Sequence, residues 1–268
     1  FNTAMFNVDI GGWNVSNVTN MHAMFSNSGI DQDLSGWQVG NVTDMSEMFS
    51  RTDFNQDISG WNVNNVTDMS GMFFSSRFNR SIGSWAVGNV TDMSDMFFAN
   101  NDFNQDISGW DVGNVTDMSG MFHTSRNFDR PLSGWDVSKV SDMSRMFMNA
   151  DSFDQDLGAW DVSGLTVAEQ MFDGIALSTT NYDALLLGWS QRTLQNGVIF
   201  GGGESIFCDE SAAKQSIIGT YGWTISDGGS CVVDTDAFVT TWSVSSSVLE
   251  ITIPVRAELV YDYAVDWG

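Results

Sequence analysis

Two cysteines, two prolines, two histidines and ten lysines plus arginines are all that this 268-residue chain holds of those residue types. Each shortage closes off a class. Two cysteines allow one disulfide and no disulfide-dense scaffold. His22 and His123 are far apart, so no histidine cluster has metal-ligand spacing. Neither histidine lies near a cysteine, so a catalytic thiol has no basic partner. Ten cations face 34 acidic residues, which gives a net charge of −24. That charge repels phosphate backbones and anionic lipid surfaces, so neither nucleic acid nor direct membrane insertion is expected. No apolar run approaches the length of a membrane span, and no leader pattern is visible. No Ser/His/Asp set and no Gly-rich phosphate loop appears, so the chain is not expected to be an enzyme.

What is present is repetition. With 42% hydrophobic residues the chain is not disordered. Trp13, Trp37, Trp61, Trp85, Trp110, Trp135 and Trp160 recur at intervals of 24, 24, 24, 25, 25 and 25 residues. The fullest copy is FNQDISGWNVNNVTDMSGMF, from Phe54 to Phe73. A period of this length marks a stacked array, because one copy cannot bury its apolar face alone. All length variation falls between the Met-Phe pair and the next Phe: five residues from Phe49 to Phe54, six from Phe97 to Phe103. A loop on one edge therefore absorbs the insertion. Phe1 to Phe6 repeats the spacing of Phe49 to Phe54. On that basis the chain is expected to be an internal segment of a longer polypeptide.

The apolar residues of one copy are Phe54, Ile58, Trp61, Val63, Val66, Met69, Met72 and Phe73. Their spacing fits neither a helix nor a strand throughout, which suits a coil with short sides and corners. Asp57-Ile58-Ser59 and Val66-Thr67-Asp68 are expected to be extended. Ser70 to Phe73 is expected to form one helical or 3₁₀ turn opened by Ser70.

The string F-N-Q-D-I-S-x-W-x-V-x-N-V-T-D-M-S-x-M-F resembles the bacterial surface-protein repeat of about 25 residues, related to the BspA-like branch of leucine-rich-repeat proteins. The resemblance covers Phe1 to about Ala176. It implies a right-handed, leucine-rich-repeat-like solenoid of short parallel β-strands and short helical turns. It also implies a bacterial cell-surface setting and no catalytic residues.

Several columns of like residues run through residues 1–176. Asn17, Asn41, Asn65, Asn89 and Asn114 each precede the Val of a V-T pair. They are expected to form a buried ladder of amides that satisfies backbone groups at a turn. Each also begins an N-V-T sequon, which a buried position in a bacterial protein would leave unmodified. Asp9, Asp33, Asp57, Asp106 and Asp156 form one acidic column; Asp44, Asp68, Asp92, Asp117 and Asp142 form another. Stacked like charges repel unless hydrogen-bonded or bridged. Two readings stay open: local capping of backbone N–H groups, or Ca²⁺ held between rows. No other cofactor is expected. The Met columns, such as Met69 and Met72, are core filler rather than a metal site. The seven Trp are expected to be buried; an exposed Trp face would instead suit sugar stacking.

After Trp160 the pattern degenerates into D-V-S-G-L-T-V-A-E-Q-M-F, as expected where an array is closed by a cap. Residues 177–231 are read as an α/β cap. Thr180 to Trp189 and Glu210 to Ile218 are its helices, and Val198–Phe200 and Trp223–Ile225 its extended pieces. NYDALLLGW…YGWTISDGGSC resembles the cap that follows these repeats in the same family. Cys208 and Cys231 flank the second helix, and an even count in an extracellular setting favours a disulfide between them. Residues 232–268 carry three candidate strands, Ala237–Trp242, Leu249–Ile253 and Tyr261–Trp267. They resemble the start of a partial β-sandwich-like domain, whose open edge could pair with another subunit.

The function expected is a structural or adhesive segment of a secreted bacterial cell-surface protein, in contact with another protein or a cell-surface component. The alternative is a carbohydrate-binding module that uses exposed aromatics.

Overall fold

A computed structural model describes residues 6–231, and the chain divides after Cys231. The three strands and the open edge expected in residues 232–268 lie outside the described residues.

Buried backbone groups must be paired. Residues 6–176 pair them with the neighbouring winding of chain, 24 or 25 residues away. Thr43 N–H donates back to Thr19 O at 2.8 Å, while Met45, Glu47, Phe49 and Arg51 donate forward to Asp68, Ser70, Met72 and Phe74. The β-branched Val66-Thr67-Asp68 segment contributes a single parallel bridge per winding: Asn20 to Asp44, Asp44 to Asp68, Asp68 to Asp92, and so on to Val167. Asp57-Ile58-Ser59, expected to be extended, enters a turn instead. Trp61 N–H closes onto Ile58 O at 3.1 Å, and the Asp57 carboxylate accepts the Ser59 N–H.

The helical turn expected after Ser70 is absent. Met69, Gly71, Phe73 and Ser75 donate forward to the next winding; Met72 and Phe74, between them, donate to Met69 O and Gly71 O three residues back. A helix would need every N–H for its own axis, and half of these are already committed. The result is a run of tight turns. Gly71 and Ser75 sit at φ 56° and 51°, the left-handed geometry a type II turn requires at its third position. The same two places recur in each winding, as Glu47 and Arg51, Asp95 and Ala99, Gly120 and Thr124, Arg145 and Asn149.

The apolar residues point inward and form columns. Phe25, Phe49, Phe73, Phe97, Phe122, Phe147 and Phe172 stack with successive centroids 5.5–5.9 Å apart. The Phe that opens the next copy adds a second ring in contact, as with Phe73 and Phe78 at 4.1 Å. Met69, Met72 and Val66 fill the remainder at zero exposure. The extra residue of the longer windings falls at the loop. There Asn100, fully buried, donates to Phe78 O at 3.0 Å and to Ser76 Oγ, and accepts the Phe103 N–H.

The cap continues this pairing with different elements. Helix α1 (Thr179–Ser190) is capped by the Ser178 hydroxyl, which accepts the Asn181 N–H. Strand β1 (Ile199–Gly201) bridges to Ala168 through Phe200 and pairs in parallel with β2 (Thr224–Ser226). Helix α2 (Ser211–Tyr221) ends at left-handed Gly222. The Phe column stops where Phe200 meets Phe172 edge-on at 90°. Both helices lie within three residues of the segments expected.

Candidate functional site

Most of the columns singled out in the sequence are structural. Trp37, Trp61, Trp85, Trp110, Trp135 and Trp160 are buried, each at 4% exposure or less. Each indole N–H donates to a carbonyl of the preceding winding, at 2.9–3.1 Å: Ile10, Leu34, Ile58, Ile82, Ile107 and Leu132 in turn. Trp189 of α1 repeats the contact onto Leu157 O, so the helix occupies the place of a further winding. Trp13 departs from the expectation. It is 53% exposed, because no described winding stands in front of it to supply a carbonyl and a packing surface.

The asparagine column is not buried. Asn41, Asn65, Asn89 and Asn114 are exposed, and each amide donates at 2.7 Å to a backbone carbonyl of the winding before: Ser16, Gly40, Asn64 and Gly88. Asn17 is exposed in the first described winding. The amides sit outside because the buried side of that corner is taken by the following Val, fully covered at Val42, Val66, Val90 and Val115. Lys139 replaces the amide in the next copy and reaches Asn114 Oδ1. At Gly164 a Cβ would press on the carbonyls of Ser138 and Val140, which ends the column.

A second ladder went unread in the sequence. Asn7, Asp31, Asn55, Asn79, Asn104, Asp129 and Asp154 follow the first Phe of each copy, or Ile30 in the second. Each side-chain oxygen accepts the backbone N–H at the same place one winding on: Asp31, Asn55, Asn79, Asn104, Asp129, Asp154 and finally Ser178. Only Asn and Asp ever fill this position, which was the available signal.

The acidic columns accept local bonds. Asp44, Asp68 and Asp92 each take both the N–H and the hydroxyl of the Ser two residues on. Side-chain and backbone bonds from Ser35 hold the Asp33 carboxyl below the ordinary carboxylate value, and Ser59, Ser108 and Ser138 do the same for Asp57, Asp106 and Asp136. Among the described residues no group of three or more His, Cys, Asp or Glu could hold a metal ion, and no helix is long and apolar enough to cross a membrane.

In the cap Cys208 and Cys231 are disulfide-bonded, with their Cα atoms 5.1 Å apart. A buried polar cluster, unforeseen from sequence, lies nearby. Asp227 accepts Lys214 Nζ on both carboxylate oxygens at 2.8 Å and the Tyr182 hydroxyl at 2.7 Å. Burial first, then the Asp227 bond, pushes the Tyr182 phenol far above its usual range. These three residues are nested in the packing between α1, α2 and β2, and they hold the cap together.

The surface that does not repeat is on the turn edge. Five residues beyond the first Met of each copy, or beyond Ala168 in the last, stand Ser26, Ser50, Phe74, Phe98, His123, Met148 and Asp173. The middle four are half-buried. Phe74 and Phe98 stack at 4.5 Å, His123 meets Phe98 edge-on at 4.3 Å, and the Arg51 guanidinium lies over the Phe74 ring, 4.9 Å from its centroid. Burial, then the Arg145 charge, lowers the His123 imidazole, keeping it neutral near pH 7. Beside this strip is a groove of about 300 Å³ lined by Glu47, Arg51, Gly71, Phe74 and Asp95 among others. Nothing in the repeat demands aromatics here, since Ser and Asp fill the same place elsewhere.

Among the described residues the chain forms a stack of 24–25-residue windings followed by two helices and two short strands, with the aromatic strip along the turn edge. The family described as "Mycoplasma protein of unknown function, DUF285" matches residues 1–80 and 74–184, and the chain belongs to it. A comparison with curated proteins and one with solved structures found no match.

Proposed function

We propose that the chain is a structural and adhesive segment of a secreted bacterial cell-surface protein, presenting its turn edge to another protein or a cell-surface component. The windings are read as a leucine-rich-repeat-like solenoid of the BspA-like surface kind, with no catalytic role. The observation that carries the reading is the loss of repetition at one outward column, Phe74–Phe98–His123–Met148, on a scaffold whose inward columns keep theirs. Residues that make the fold must repeat; a half-buried surface position that abandons the pattern in adjacent windings is free to carry recognition. The net charge of −24 suits a solvated exterior and argues against nucleic acid.

Carbohydrate stacking has less support. Sugars need an open ring face. Phe74 is covered by Arg51 and Phe98, Phe98 by Phe74 and His123, and the repeated Trp beyond Trp13 are buried. The test is protease shaving of intact bacterial cells that carry the protein: peptides from the exposed turn edge should be released without lysis. Recovery only after lysis would overturn the reading.

A further inference from the structure

We propose that the groove around Gly71 is a docking seat for a basic side chain, Lys or Arg, of a partner protein, with the Phe74–Phe98 strip receiving the adjoining apolar stem. This deepens the proposed function and rests on it only for the partner's being external. Two residues beyond the first Met of each copy, or beyond Ala168 in the last, stand Ala23, Glu47, Gly71, Asp95, Gly120, Arg145 and Gln170. All seven have left-handed backbones, so all project from the same kind of turn. Gly71 has no side chain of its own; the Glu47 stem leans over it, with Cγ 3.2 Å from where a Cβ would stand, and the groove of about 300 Å³ lies alongside.

The chemistry of the lining selects the occupant. Glu47 and Asp95 both line the groove, the Asp95 carboxylate on its Gly120 side, and among the described residues neither forms an ion pair. Burial, and then the carboxylates of Asp117 and Asp92, push the Asp95 carboxyl up, opposed only by Arg145. A cation placed there relieves that penalty. Arg51, the one cation among the lining residues, is stacked on Phe74. The half-buried ring edges of Phe74 and Phe98 suit the carbon stem of a long basic side chain. At long range a net charge of −24 draws a basic segment toward this surface.

The test uses the full chain and a fluorescein-labelled lysine-serine repeat peptide, with its fully acetylated form as the uncharged control, at physiological salt. Gly71→Gln narrows the groove with a residue the column already uses at Gln170, where φ is 58°; its Cβ would meet only the flexible Glu47 stem closely, at 3.2 Å, so the variant should fold. Gly71→Gln and Glu47→Gln/Asp95→Asn should each weaken peptide binding by roughly tenfold. Phe74→Ser/Phe98→Ser, which copies Ser26 and Ser50 of the same column, should weaken it as well. Asp111→Asn/Asp136→Asn, which neutralises two exposed carboxylates beside the Trp corner, should leave it within about twofold. Backbone NMR shifts should centre on Gly71 and its neighbours. Equal loss in the Asp111/Asp136 variant, tight binding of the acetylated peptide, or unchanged binding in Gly71→Gln would overturn the proposal. Surface shaving separates the two claims: peptide binding without surface exposure keeps the seat and removes the adhesive role, and the reverse result does the opposite.

Discussion

The windings and the cap solve one problem by different means. In the windings the contacts that join one winding to the next have copies 24 or 25 residues away: a Trp indole on a carbonyl, an Asn or Asp oxygen on an N–H, a Phe on a Phe. No buried ion pair is found among the described residues there; Arg77–Asp53 and Arg126–Asp151 are both exposed and contribute little. In the cap the decisive contacts occur once: a disulfide, a buried Lys214–Asp227–Tyr182 cluster and two helices. Repetition supplies stability by accumulation, since each winding needs only its neighbours. The end of an array has a neighbour on one side only, so it needs closure of a different kind.

Four substitutions and one titration would break or sharpen that contrast. Phe97→Ala removes a ring packed against Phe73, Phe103 and Phe122. It should cost about 4 kcal/mol in urea unfolding, and it should separate the unfolding of the windings before it from those after. Asp227→Ala leaves Lys214 and the Tyr182 hydroxyl buried without their acceptor and should cost about 3 kcal/mol. That loss should appear with the cap, as protease sensitivity within residues 177–231 while the windings stay protected.

Trp110→Phe keeps a ring but deserts Ile82 O, and should cost about 2 kcal/mol. Urea unfolding checks this; a loss near zero would show that the indole bond does not tie the windings. Thr124→Gly relieves a β-branched residue at φ 59° and should stabilise by about 1 kcal/mol, read as a raised urea midpoint.

The smallest effect is on pH. The carboxyls of Asp33, Asp57 and Asp106 are held below their ordinary value by the serines two residues on. A lowered folded-state value means that stability is fully present above the unfolded value, about 4, and is lost as pH falls through the lowered ones. Ser35→Ala/Ser59→Ala/Ser108→Ala should therefore flatten the fall in urea midpoint below about pH 4. An unchanged slope would assign the acid response to other groups.

Legibility followed from how local each decision was. The Trp interval, the loop that absorbs insertions and the degeneration after Trp160 are one-dimensional facts, and the cap helices carry ordinary start and stop residues. The turns after each Met did not read correctly. Ser70 is a good helix opener, and only the neighbouring winding, by taking the N–H of Gly71 and Phe73, removes the helix as an option. The asparagines before each Val looked like an interior ladder because Asn in a repeat so often is one. The column after each Phe does the stricter pairing, yet its mixture of Asn and Asp hid it among acidic residues. The Phe74–Phe98–His123 strip was invisible because irregularity against a repeat reads as noise until it is known to face outward.

The sequence by itself determined that the chain winds at 24–25 residues and that apolar rings recur at fixed places, because periodic composition can bury its apolar area only by stacking copies. The tertiary structure decided which polar column ties the windings, which side of each corner meets water and where the pattern stops being structural. Those outcomes depend on whose N–H and carbonyl lie opposite, and the neighbouring winding alone supplies them.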